Sequence, residues 1–110
     1  MEESQYDTLL AFHQLISEES VNKIINFISE LDSEIYIDTK EQNIKHLQLY
    51  LTTKTFSSLL YTQGVEFLSG LLYYYQTEDE FENCIEIKNA IEEHNDISGD
   101  NIQLKNYTHS

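Results

Sequence analysis

Glu78, Glu82 and Glu86 recur every four residues, and Asp79, Glu92, Glu93 and Asp96 lie in the same segment. Carboxylates at that spacing share one face of a helix. Two chemistries are open to them: holding a hard divalent cation, or presenting negative charge to a basic partner. A cation site needs several oxygens converging from a loop. This segment has neither calcium-loop spacing nor a glycine at the turn, so no metal or other cofactor is expected. The charge density favours the second chemistry. Eight acids fall within the nineteen residues from Glu78 to Asp96. On a continuous helix that is roughly one charge per 3.5 Å, close to the one per about 3.4 Å along a single strand of duplex DNA.

Other reactive residues point away from catalysis. Cys84 sits among acids, which raise a thiol pKa and blunt a nucleophile, and its spacing places it on a core face. The histidines are His13, His46, His94 and His109, and none lies in a His-Glu-x-x-His or Glu-x-x-His arrangement. His13 falls on an apolar stripe and reads as a boundary residue. His94 and His109 read as solvated. No enzyme signature is met. Tyr73, Tyr74 and Tyr75 are consecutive, and three such residues cover about 200° of a helix. They cannot all face one core, so at least one, with Tyr74 the candidate, is expected at an interface.

The overall balance agrees with an acidic binding surface. The 110 residues include twenty acids, six lysines and no arginine, for a formal charge of −14. Such a chain repels nucleic acid and anionic membranes and attracts basic protein surfaces. The charge is uneven. Residues 1–41 and 78–100 each sum to −8, while 42–77 sum to +1. At 40% hydrophobic the chain can bury a core, and its length allows one domain. One cysteine forms no internal disulfide. Met1 is followed by Glu2 and Glu3, unlike a signal peptide, and the apolar run from Phe67 to Tyr75 is too short to cross a bilayer. The expected location is the cytoplasm of a bacterial host cell. The abundance of Ile, Asn, Tyr and Lys with no Pro, Trp or Arg suggests AT-rich coding, as in many phages.

The elements that must position these residues read as helices. Tyr6, Leu9, Leu10, His13 and Ile16 share a face, as do Val21, Ile24, Ile25, Ile28 and Leu31. Ser17 is the expected N-cap of the second set, with Glu18 and Glu19 in its first turn. Thr39 with Gln42, and Thr77 with Glu80, have capping-box spacing. The latter would open a helix with Phe81, Cys84, Ile87 and Ile91 inward. Phe56 to Tyr75 reads as a central apolar helix in which Gly64 and Gly70 mark either a close helix approach or a break. Glu34 to Asp38 alternates like a short strand, with no second strand to pair. The expected fold is all-α: a small bundle of about five helices with one extended or strand-like segment near 34–38. Residues 1–95 form a single acidic helical domain and 96–110 a loose C-terminal tail.

Glu80 to Ile91, twelve of the 110 residues, resemble the helix of the UVR hairpin of nucleotide-excision-repair proteins. Lys88 and Asn89 stand where that motif carries an arginine–aspartate pair. The resemblance implies protein binding, not repair chemistry.

The functional expectation is a small acidic inhibitor of phage type, in the anti-restriction or anti-CRISPR class. It would occupy the basic nucleic-acid-binding surface of a target protein as a nucleic-acid mimic, without contacting nucleic acid or membrane. Glu78, Asp79, Glu82, Glu86, Glu92, Glu93, Asp96 and Tyr74 would carry the contact. The alternative is a helical assembly module that associates with itself or a helical partner through its apolar, tyrosine-rich middle, the acids only conferring solubility.

Overall fold

In the structure, a computed structural model, residues 15–107 are described. They form five helices: α1 (Glu18–Leu31), α2 (Glu41–Thr53), α3 (Phe56–Gln63), α4 (Val65–Thr77) and α5 (Phe81–Ser98). The fold of the described residues is all-α, a small helical bundle. The helix expected from Tyr6 to Ile16 lies largely outside the described residues, as do His13 and His109.

α1 forms where its cap and its periodicity agree. Ser17 is extended, and its Oγ accepts the Ser20 amide at 3.1 Å. Val21, Ile24, Ile25 and Ile28 are buried. The next helix starts differently from expectation. The Lys40 amide donates to Asp38 Oδ1 at 3.0 Å, and no side chain caps α2, so the Thr39–Gln42 capping box does not form. An aspartate two residues ahead offers the backbone a local turn that competes with the box. Ahead of it, Glu34 lies in the turn that follows α1, and residues 35–38 pair with no strand among the described residues. Ile35 and Ile37 pack on the core while Tyr36 is exposed, which accounts for the alternation.

The apolar middle is two helices, α3 and α4, broken at Gly64, whose φ of +94° favours glycine. α4 is the centre of the bundle and packs against α1, α3 and α5. Phe67, Leu68, Leu71, Leu72 and Tyr75 are buried. Gly70 lets α1 approach closely, because a Cβ there would stand 3.0 Å from Ile28 Cγ2. Tyr73 and Tyr74 are half-buried and flank Phe27, with ring centroids at 5.8 and 5.3 Å.

The start of α5 departs from its expected capping box. Thr77 ends α4, and its hydroxyl donates backward to the Tyr74 carbonyl at 2.7 Å. Asp79 then turns the chain with φ 58°, and the Glu80 amide donates to the Tyr75 carbonyl at 2.9 Å. α5 therefore begins at Phe81 with no side-chain cap. Cys84, Ile87 and Ile91 face inward, but Phe81 is 58% exposed.

The C-terminal segment also differs from expectation. α5 runs through residue 95 to Ser98, and Gly99 (φ 76°) reverses the chain. Residues 100–107 then form a strap along the bundle. The Asn95 side chain pairs with both backbone groups of Ile102, at 2.9 and 3.0 Å. The Lys105 amide donates to buried Ser69 Oγ at 2.7 Å. Lys105 Nζ and the Tyr107 hydroxyl both donate to Asp32 Oδ2, at 3.0 and 3.2 Å. Ile102 and Leu104 pack on the core. These two apolar residues alternate along extended chain, a signal too short to register as periodicity.

Candidate acidic interface

The packing of α5 decides where its acids point. Cys84, Ile87 and Ile91 bury one side of the helix. At 100° per residue, Glu82, Glu86 and Glu93 fall within about 40° of one another on the opposite side, and Glu92 and Asp96 widen this to a sector of about 120°. All five are exposed. Glu82 to Glu93 spans about 17 Å along the axis. Glu78 and Asp79 are exposed in the turn before α5, not on its face. The structure thus brings five of the expected acids onto one sector and leaves two at its N-terminal approach. The charge density on the helix proper is lower than a continuous helix from Glu78 would give: five acids from 82 to 96 make roughly one per 4.5 Å, with Lys88 subtracting one.

Little within the described residues neutralises this surface. Lys54 Nζ stands 3.9 Å from Glu86 and Lys23 Nζ 4.0 Å from Glu78, both pairs well exposed. Exposed pairs at such distances contribute about 0–1 kcal/mol. No ion pair engages Glu82, Glu92, Glu93 or Asp96 among the described residues. Glu82 and Glu86 repel at i, i+4 by a few tenths of a kcal/mol. Glu92, Glu93 and Asp96 approach the negative end of the helix dipole, and no base lies in the last turn.

Tyr74 lies elsewhere, on a groove between α1, α2 and α5 that it shares with Lys54, Tyr75, Glu80 and Asn83. Burial, then the charges of Glu78 and Glu80, push its hydroxyl pKa up, so it stays a neutral donor. It borders the acids of the turn and stands apart from the α5 row.

Two side chains lie differently from what the sequence pattern predicts. Phe81 was expected inward and is exposed. His94 was expected solvated, yet its side chain is only 11% exposed. Its Nε2 pairs with Asp100 Oδ2 at 3.0 Å, and its Nδ1 lies 3.3 Å from the Tyr61 hydroxyl. The spacing Ile87, Ile91, His94 (i, i+4, i+7) carried the signal that His94 borders the core face. The role of Asp32 and Lys105 left no local signal, because the pair is formed across 73 residues of chain.

The reactive groups are held inert by packing. Cys84 is buried, its Sγ donates to the Leu72 carbonyl at 3.8 Å, and burial pushes its thiol pKa up. Among the described residues no group of three His, Cys, Asp or Glu side chains could hold a metal ion, and no helix is long and apolar enough to cross a membrane. Compared with models of known protein families, with curated proteins and with solved structures, the chain matches none, so no family match accompanies the local likeness at residues 80–91.

Proposed function

We propose that this protein is a small acidic inhibitor that docks the outer face of α5 on a basic, nucleic-acid-binding surface of a target protein. The phage anti-restriction and anti-CRISPR classes are the setting the composition suggests. The observation that carries the reading is the placement of Glu82, Glu86, Glu92, Glu93 and Asp96 on one exposed sector, four of them without a cationic partner among the described residues. Unscreened like charges on one helix cost stability and raise the local potential, which draws in a cationic surface. Assembly through the apolar middle is the weaker reading. Phe67, Leu68, Leu71, Leu72 and Tyr75 are spent inside the bundle, and Tyr73 and Tyr74 are half-covered by Phe27 and its surroundings.

The test is binding from a bacterial lysate at low and then high salt, with duplex DNA or RNA as competitor. Charge-driven docking should weaken steeply as ionic strength rises, because exposed charges are screened beyond about 8–10 Å. A nucleic-acid-processing protein that is released by salt, displaced by nucleic acid and lost on E82K/E86K/E93K agrees with the proposal. A partner retained at high salt and indifferent to the triple reversal refutes it.

A further inference from the structure

An aromatic side chain left in solvent is usually free to move. Tyr61 of α3 is 75% exposed, yet it is held. Asp100, just beyond the helix reversal at Gly99, accepts from His94 Nε2 at 3.0 Å. A carboxylate can only accept, so a proton is on Nε2, and Nδ1 pairs with the Tyr61 hydroxyl, which can either donate or accept. That second contact is 3.3 Å, and the two rings meet edge to face with centroids 5.6 Å apart. The chain Asp100–His94–Tyr61 fixes the plane of the phenol.

The fixed ring forms one wall of a groove of about 260 Å³ between α3 and α5. Ala90 and Ile97 supply its apolar lining, and Glu93 stands at its edge. Ile97 is 79% exposed, so the groove is uncovered on that side. No lysine pairs with Glu93 among the described residues. An aromatic face, an aliphatic wall and one carboxylate are the three contacts of a long cationic side chain: its methylenes lie on apolar surface, its charge on the ring and the acid. A planar guanidinium stacks on an aromatic face and forks onto a carboxylate, whereas an ammonium does neither.

From this geometry we infer that the groove is a recognition site for a single arginine side chain of a partner protein. The inference rests on the reading of α5 as a protein-binding face and adds to it. The acidic row attracts any cationic surface, and the groove fixes where one arginine sits, and therefore the register of docking.

The experiment is an NMR titration of the full chain with Nα-acetyl-arginine amide, beside the citrulline and lysine analogues. Citrulline keeps the length and planarity without the charge, and lysine keeps the charge without the plane. Arginine should shift the amides of Tyr61, Glu93, His94 and Ile97 selectively, saturating in the millimolar range. Lysine should respond more weakly and citrulline hardly at all. Tyr61→Leu and Glu93→Gln should each weaken the arginine response by about threefold, as expected for exposed cation–π and ion-pair contacts. Both side chains lie outside the core, so neither change threatens the fold. E82K/E86K should leave the groove response in place while weakening whole-target binding, which separates the two proposals. Shifts spread along all of α5, equal responses to lysine and arginine, or no effect of Tyr61→Leu would each overturn the arginine site, and each would leave the acidic row standing.

Discussion

α1 and α5 each carry a pair of adjacent glutamates, and they use them in opposite ways. Glu18 and Glu19 sit in the first turn of α1, where unpaired amides and the helix dipole favour negative charge. Glu92 and Glu93 sit in the second half of α5, where the same dipole opposes them. The contrast extends outward. Ser17 caps α1 through its side chain, and Asp32 just beyond the helix anchors the strap through Lys105 and Tyr107. α5 has no side-chain cap and no base in its last turn. The acids around α1 serve the fold, whereas those on α5 strain it slightly and lie open. Charge that folding does not use is the better candidate for charge that binding uses.

The sharpest contrast is between the inner side of α1 and the outer side of α5. Ile28 is fully buried against Gly70, and Ile28→Ala should cost about 3 kcal/mol in urea denaturation. Ile85 is 58% exposed, and Ile85→Ala should change stability by less than about 0.5 kcal/mol. A large loss at Ile85 would mean that the outer face of α5 is packed, and the comparison would fail. Next in size is E82K/E86K/E93K. It should weaken target binding by about 10- to 100-fold, from three lost exposed pairs at up to about 1 kcal/mol each, with the urea midpoint unchanged or slightly raised. Cap removal sets the two helix starts apart. Ser17→Ala should cost about 1 kcal/mol, while Glu80→Ala, at a start whose side chain makes no cap bond, should cost less than half of that.

The smallest effect is a pH dependence confined to the strap. Hydrogen bonding from Lys105, followed by the Glu34 amide, holds the Asp32 carboxyl below its ordinary value, and burial only partly opposes this. A carboxylate with a depressed folded-state pKa stabilises the fold above its unfolded value and loses that contribution as pH falls through the folded one. Hydrogen exchange at the Lys105 amide, which is bonded to Ser69 Oγ, should therefore quicken, relative to the bundle, as pH drops below the ordinary aspartate range of about 4. Asp32→Asn should flatten that dependence. The same pH response in the variant would show that Asp32 is not the latch.

Much of the bundle was legible because its signals are local. The stripe of Val21, Ile24, Ile25 and Ile28 with Ser17 ahead of it names a helix, its buried face and its start. The inward Cys84, Ile87 and Ile91 likewise place the acids of α5 on the far side by rotation alone. Local rules failed where two of them competed. Thr77 has the spacing of a capping box, yet the aromatic run before it carries α4 through residue 77, so its hydroxyl bonds backward and α5 opens three residues later than such a cap would place it. Phe81 is left exposed as a result.

The amino-acid order by itself determined the class of the molecule: an acidic, single-cysteine helical chain whose last helix has an apolar side and a charged side. Those properties follow from composition and from a 3.6-residue period, and neither depends on what the rest of the chain does. Only the tertiary structure decided that the apolar middle is consumed as a core, that Asp32 receives Lys105 and Tyr107 from the far end of the chain, and that Tyr61 is locked by His94 and Asp100 beside Glu93. Each of these joins residues more than thirty positions apart. No period or spacing encodes such a contact, because it is formed by the packing of whole helices.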